Sequence, residues 1–194
     1  LLPLTDPPSD LATAYADRSK YGGSDGFGDL TEIDLYTSYG LDFHKVDGRM
    51  SWAGAGIVST ASSMARWGYE VMSPNGIAVS PEVRTKLTES FVDEWISLTE
   101  LRQKYGFHWI LTEHELSDGR LLFSYGHPGG GSGFSTSLFY VPSLDTSISI
   151  MANTEINYLW GACADLDKGG SRRGQYSPIS CIAVDFLETL IGIN

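Results

Sequence analysis

The stretch Phe134-Ser135-Thr136-Ser137-Leu138-Phe139-Tyr140-Val141-Pro142-Ser143-Leu144-Asp145-Thr146-Ser147-Ile148-Ser149-Ile150-Met151-Ala152-Asn153 decides the fold class. In its second half Ile148, Ile150 and Ala152 alternate with Ser147, Ser149 and Met151. A period of two puts successive side chains on opposite faces of a strand. Pro142-Ser143-Leu144-Asp145 separates two apolar runs with turn chemistry, so 134–141 and 146–153 are expected to be neighbouring strands. A second pair lies upstream: Phe107 to Thr112 and Leu121 to Tyr125 flank Ser117-Asp118-Gly119-Arg120. Asp-Gly between apolar runs is a strong hairpin signal. Four strands in one antiparallel sheet are expected.

Around this sheet the period becomes helical. Ser59-Thr60 offers an N-cap, and Ala61, Met64, Ala65, Gly68, Val71 and Met72 recur at helical spacing until Ser73-Pro74-Asn75-Gly76. Ser80-Pro81 opens a second helix, with serine as cap and proline at the first helical position, expected to run to about Phe91. Ser177-Pro178 opens a third, with Ile179, Ile182, Ala183, Phe186, Leu187 and Leu190 on one face and Gly192 closing it. The resulting class is α+β: a helical region over 51–95, then the sheet with a C-terminal helix packed on it over 105–194. Residues 1–50 are expected to be mostly irregular, given Pro3, Pro7, Pro8 and the run Tyr21-Gly22-Gly23-Ser24-Asp25-Gly26-Phe27-Gly28. So long an irregular opening needs support from another part of the structure. Residues 1–194 read as one domain or a portion of one.

At 194 residues and 42% hydrophobic content the chain can bury a core. No apolar run approaches the roughly 18 residues that cross a bilayer, and Leu1-Leu2-Pro3-Leu4 lacks the basic flank of a signal peptide, so no membrane partner is expected. A net charge of −11, with Arg172-Arg173 as the basic cluster, argues against a nucleic-acid partner. Cys163 and Cys181 flank a polar, glycine-rich stretch from Asp165 to Tyr176. A disulfide between them would contribute on the order of 3 kcal/mol and imply an oxidising compartment, extracellular or periplasmic. Two unlinked thiols, with Cys181 on the buried face of a helix, is the other reading. Without a CxxC or HxxxH pattern, neither a metal nor a cofactor is expected.

The chemistry concentrates in Tyr125-Gly126-His127-Pro128-Gly129-Gly130-Gly131-Ser132-Gly133-Phe134, between the second and third expected strands. Five of these ten residues are glycine, which exposes the backbone to close approach. Acyl transfer needs backbone N–H groups aimed at a developing oxyanion, and a strand edge stripped of side chains presents them. A neighbouring histidine can hydrogen-bond a substrate or assist proton transfer near neutral pH. Composition alone leaves open the plainer reading of a glycine-rich loop carrying a surface histidine.

Gly126-His127-Pro128-Gly129-Gly130-Gly131-Ser132-Gly133-Phe134-Ser135, followed by a strand ending Tyr140-Val141-Pro142, resembles the third active-site motif of the serine β-lactamase and penicillin-binding superfamily. It is most similar to the class C-like branch, which includes DD-carboxypeptidases, D-aminopeptidases and esterases. Ala53-Gly54-Ala55-Gly56-Ile57-Val58-Ser59-Thr60-Ala61-Ser62-Ser63-Met64-Ala65-Arg66-Trp67 resembles that branch's segment of paired glycines, Ser-Thr and a helix. Leu4-Thr5 through Leu11-Ala12-Thr13-Ala14-Tyr15 looks like the stretch after its second motif. The resemblance therefore implies a β-lactamase/transpeptidase-like fold of which this chain is the C-terminal portion. It gives His127 the basic or hydrogen-bonding position, Gly130 a backbone N–H of the oxyanion hole, and Gly129, Gly131 and Tyr125 places against the substrate. Pro128 departs from the pattern, because many relatives carry a hydroxyl residue there to bind a substrate carboxylate.

The superfamily's chemistry requires a Ser-x-x-Lys, in which lysine helps activate the serine, and a Tyr-x-Asn or Ser-x-Asn second motif. No serine in the chain has lysine three positions later. Ser63-Met64-Ala65-Arg66 comes nearest, and arginine keeps its proton at physiological pH. Ser73-Pro74-Asn75 fits Ser-x-Asn but reads as a turn at a helix end. His44, His108 and His114 have no local geometry for a triad, His108 and His114 being expected on a strand and its flank, one partly packed and one facing solvent. Asp93-Glu94, Glu113 and Glu115 read as solvated surface. Two readings stand. In one the chain is part of a serine hydrolase, inactive alone, whose partners are a small-molecule or peptide substrate and an N-terminal half in the same or a separate chain. In the other it is a non-catalytic binding domain on the same scaffold.

Overall fold

A computed structural model of the chain describes residues 12, 14–17, 30–33, 57–92, 102–131, 134–155, 161–162, 175–176 and 178–193. Two four-residue strands, β1 (Ala14–Asp17) and β2 (Leu30–Ile33), lie in the part expected to be irregular. They pair antiparallel, and β1 also pairs in parallel with β8 (Thr154–Glu155), far along the chain. The support that the opening required thus comes, at least here, from strand pairing.

Helix α1 (Ala61–Met72) begins where Thr60 accepts a hydrogen bond from the Ser63 backbone N–H at 3.2 Å and ends at Ser73. Its buried side is Gly68, Val71 and Met72. Helix α2 (Pro81–Glu89) starts at the Ser80 cap and stops two residues before the expected end. The two helices are locked by Arg84, buried in α2. Its Nε donates to the Val71 carbonyl at 2.9 Å and its Nη2 to the Gly76 carbonyl at 2.8 Å. The last carbonyls of a helix have no partner of their own, and this guanidinium supplies one.

Five strands, not four, form the main sheet, in the order β3 (Gln103–Tyr105), β4 (Ile110–Glu115), β5 (Leu121–Gly131), β6 (Phe134–Val141) and β7 (Thr146–Ala152), all antiparallel. The added edge strand β3 is three residues long, too short to show a period. The strand expected from Phe107 begins only at Ile110, because His108 sits at φ 59°, a left-handed conformation that no strand accommodates. The β4–β5 turn forms as the Asp-Gly signal requires. Gly119 takes φ 83°, and its N–H donates to the Leu116 carbonyl at 3.0 Å. Pro142–Leu144 makes a short 3-10 turn before Asp145. A two-stranded pair, β9 (Gly161–Ala162) with β10 (Gln175–Tyr176), leads to the last helix, α3 (Pro178–Leu190).

The sheet is covered on both faces. Val71 and Met72 of α1 pack with Trp109, Leu138 and Tyr140 on one side. Ala183 and Leu187 of α3 pack with Phe139, Val141 and Ile148 on the other. Burying such aliphatic side chains contributes about 1.5–3 kcal/mol each. The apolar stripe expected on α3 splits. Ile179, Ala183 and Leu187 are buried, whereas Ile182, Phe186 and Leu190 are 55%, 49% and 51% exposed. The sheet contacts one i, i+4 row of the helix, and the second row faces away from it. Buried Glu188 accepts a hydrogen bond from the Ser117 N–H at 2.8 Å and ties α3 to the β4–β5 turn.

Candidate active site

The glycine-rich motif is strand, not loop. β5 continues through Gly131, pairing Gly126 with Phe139, His127 with Leu138, Gly129 with Thr136 and Gly130 with Ser135. Its glycines differ in what they permit. A Cβ on Gly126 would lie 2.3 Å from the Leu138 carbonyl oxygen and 2.6 Å from the Phe139 Cβ, so the close approach of β5 to β6 requires glycine. A Cβ on Gly129 would meet the Thr136 hydroxyl at 2.4 Å, and one on Gly130 would meet nothing within 4 Å. Gly130 therefore borders open space. Ser132 and Gly133 lie outside the described residues.

His127 is exposed, and its two ring nitrogens are both engaged. Nε2 lies 2.9 Å from the Tyr105 hydroxyl, at the end of β3, and Nδ1 contacts the Pro128 carbonyl. The Tyr105 and His127 rings meet edge to face, 5.8 Å apart at 89°. Tyr125, assigned to the substrate side by resemblance, is half-buried and stacked on Phe91 at 5.5 Å, and burial raises its phenol above the ordinary value.

This strand sets a glycine-rich stretch of backbone next to an exposed imidazole. The Beta-lactamase family model matches residues 3–159 of the 194. The chain belongs to the Beta-lactamase family. No curated protein and no solved structure matches it. Membership in the Beta-lactamase family makes this a chain of serine-hydrolase type, built on an α+β fold with an antiparallel sheet.

Other candidates fall outside this wall. His114 is buried on β4, with Nε2 2.7 Å from the Ser124 hydroxyl and Nδ1 unpartnered among the described residues. Burial pushes its imidazole down to about 4. It is thus the packed member of the His108/His114 pair, and His108 is the exposed one. Ser73-Pro74-Asn75 is a turn, as its position at a helix end implied. Ser73 is fully buried, and the Asn75 Nδ2 donates to Asp145 at 3.0 Å, alongside the Tyr140 hydroxyl at 2.8 Å and the Tyr69 hydroxyl at 3.3 Å. Hydrogen bonding from Ser73, then from Tyr140, holds the Asp145 carboxyl below its usual range. This cluster fastens the α1 terminus to the β6–β7 turn. Glu113 pairs with Arg102 at 3.2 Å, and Glu115 is exposed.

Cys163 and the side chain of Cys181 lie outside the described residues, as do His44, Asp93 and Glu94. No group of three or more His, Cys, Asp or Glu comes together to hold a metal among the described residues, and no described helix is long and apolar enough to cross a membrane. A hollow of about 50 Å³ lies beneath β5, lined by Ile110, His114, Ser124, Phe139 and Ala183 and bordered by His127 and Pro128. Ligand pockets occupy about 300–1,000 Å³, so this hollow is not one.

Proposed function

We propose that this chain is the C-terminal portion of a class C-like serine hydrolase, catalysing acyl transfer on ester, amide or peptide substrates. His127, Gly129 and Gly130 form one wall of its site, and the nucleophilic Ser-x-x-Lys is supplied by polypeptide upstream, in the same or a separate chain. The observation that carries this reading is the exposed imidazole of His127 near Gly130, itself exposed and with room for a side chain, in a family member whose own 194 residues contain no Ser-x-x-Lys.

In this mechanism the upstream serine oxygen attacks the acyl carbonyl while lysine takes its proton. The Gly130 N–H stabilises the oxyanion of the tetrahedral intermediate. The leaving alcohol or amine departs with a proton, and water then hydrolyses the acyl-enzyme. Pro128 offers no hydroxyl to a substrate carboxylate, which favours acyl groups lacking one. A missing companion is supported by the uncovered apolar row Ile182, Phe186 and Leu190 and by Leu121 and Phe123 on β5, 49% and 42% exposed.

A serine-reactive fluorophosphonate tests the proposal. The 194-residue chain alone is expected to stay unlabelled, and the product of the full reading frame to be labelled at an upstream Ser-x-x-Lys serine. Label on the isolated chain would refute the upstream nucleophile. A full reading frame without that motif, together with no labelled Ser-x-x-Lys chain co-purifying with this one, would leave the non-catalytic binding domain as the correct reading.

A further inference from the structure

We propose that Tyr105 is a positioning residue for His127, setting the tautomer of its uncharged imidazole, with the proton on Nδ1 and the lone pair on Nε2. This rests on the reading of β5 as the wall of an acyl-transfer site. The assignment follows from donor and acceptor chemistry. Nδ1 contacts the Pro128 carbonyl, which can only accept, so Nδ1 carries the hydrogen. A neutral imidazole has one N–H, and Nε2 must then be the acceptor. Its partner at 2.9 Å is the Tyr105 hydroxyl, which donates. The perpendicular ring contact holds both planes in this orientation.

The arrangement changes what the wall presents. With Nε2 filled by a phenol hydrogen, neutral His127 has no N–H to offer an anionic substrate carboxylate. The polar group left at the rim is the Tyr105 hydroxyl oxygen, on a residue 40% exposed, whose lone pairs stay free to accept from a substrate or water. Pro128 likewise contributes no donor. Tyr105 and Pro128 together therefore turn the histidine position from a carboxylate-binding donor into an acceptor surface, suited to an uncharged substrate group that carries an N–H or O–H, such as an amide.

Nitrogen NMR of the histidine rings in the 194-residue chain reads the tautomer directly. The wild-type neutral ring of His127 is expected to carry its proton on Nδ1. Tyr105→Phe keeps the ring contact and removes the hydroxyl, and it is expected to move the tautomer ratio about fivefold toward Nε2–H, the effect of losing one hydrogen bond of ~1 kcal/mol. A wild-type ring protonated on Nε2 overturns the proposal, as does an unchanged ratio in a folded Tyr105→Phe chain. If that variant does not fold, the wild-type tautomer alone decides. Hydrolysis by the full reading-frame product is read separately, and its absence would sink the acyl-transfer reading while leaving the tautomer result standing.

Discussion

Acidification from about pH 7 to about pH 5 is expected to cost the fold roughly 2 kcal/mol through His114 alone. The residue is buried, and burial lowers its imidazole from 6.5 to about 4. Below pH 6.5 the unfolded chain takes up a proton that the folded chain refuses until about pH 4. The unfolded state therefore binds more protons throughout that window, and stability falls as the pH falls. The full loss, reached below about pH 4, is roughly 3 kcal/mol, from about 1.36 kcal/mol per pH unit. For a domain of marginal stability that is a large share of the total. Urea unfolding followed in steps from neutral to acid pH measures it, with His114→Gln as the control. Glutamine can still hydrogen-bond the Ser124 hydroxyl, now 2.7 Å from Nε2, but it does not titrate. Carboxylates contribute equally to both proteins, so the difference between the two pH curves isolates the imidazole. Parallel curves for wild type and variant would refute the assignment of a buried neutral histidine.

Three further substitutions test the framework of the site. Gly126→Ala forces a methyl against the Leu138 carbonyl oxygen and is expected to destabilise by about 1–3 kcal/mol, whereas Gly130→Ala, facing open space, is expected to change stability by less than about 0.5 kcal/mol, both read from urea midpoints. Equal costs at the two positions would contradict the β5–β6 geometry. Tyr140→Phe removes the hydroxyl that donates to Asp145 at 2.8 Å and is expected to cost about 1 kcal/mol of stability without changing hydrolysis by the full reading-frame product. A selective loss of turnover would instead place Ser73-Pro74-Asn75 and its Asp145 anchor within the active site.

Legibility tracked how local each determinant was. The β6–β7 pair was readable because alternation at 147–152 and the turn at Pro142–Leu144 are contained in one stretch. The caps at Thr60 and Ser80 were readable for the same reason. β3 was missed because three residues carry no period, and with it went Tyr105, whose role exists only once β3 pairs with β4, which in turn pairs with β5. The extension of β5 through Gly131 was missed because glycines and a proline imitate a loop. What makes them a strand is pairing with Phe134 to Tyr140, a partner that composition does not reveal. On α3 the apolar pattern was correct, but its division into a covered and an uncovered row depends on the width of the sheet beneath it.

The candidate site depends on this sheet through parity. Along β5 successive residues alternate between faces, so Ser124, Gly126 and Pro128 take one side and Tyr125, His127 and Gly129 the other. The first set opposes Thr112, Ile110 and Ser137 in neighbouring strands, and the second includes Tyr125 opposite Tyr140 and His127 opposite Leu138. A slip of one residue would exchange the two sets, moving His127 into the row that packs toward α3 and Pro128 into the place of the imidazole. Gly126 opposes such a slip because any Cβ at its place would run into the Leu138 carbonyl oxygen, leaving no room for the side chain of either neighbour. The same glycine that looks dispensable in a glycine-rich run therefore sets the register on which the exposure of His127, its bond to Tyr105 and the exposure of Gly130 all rest.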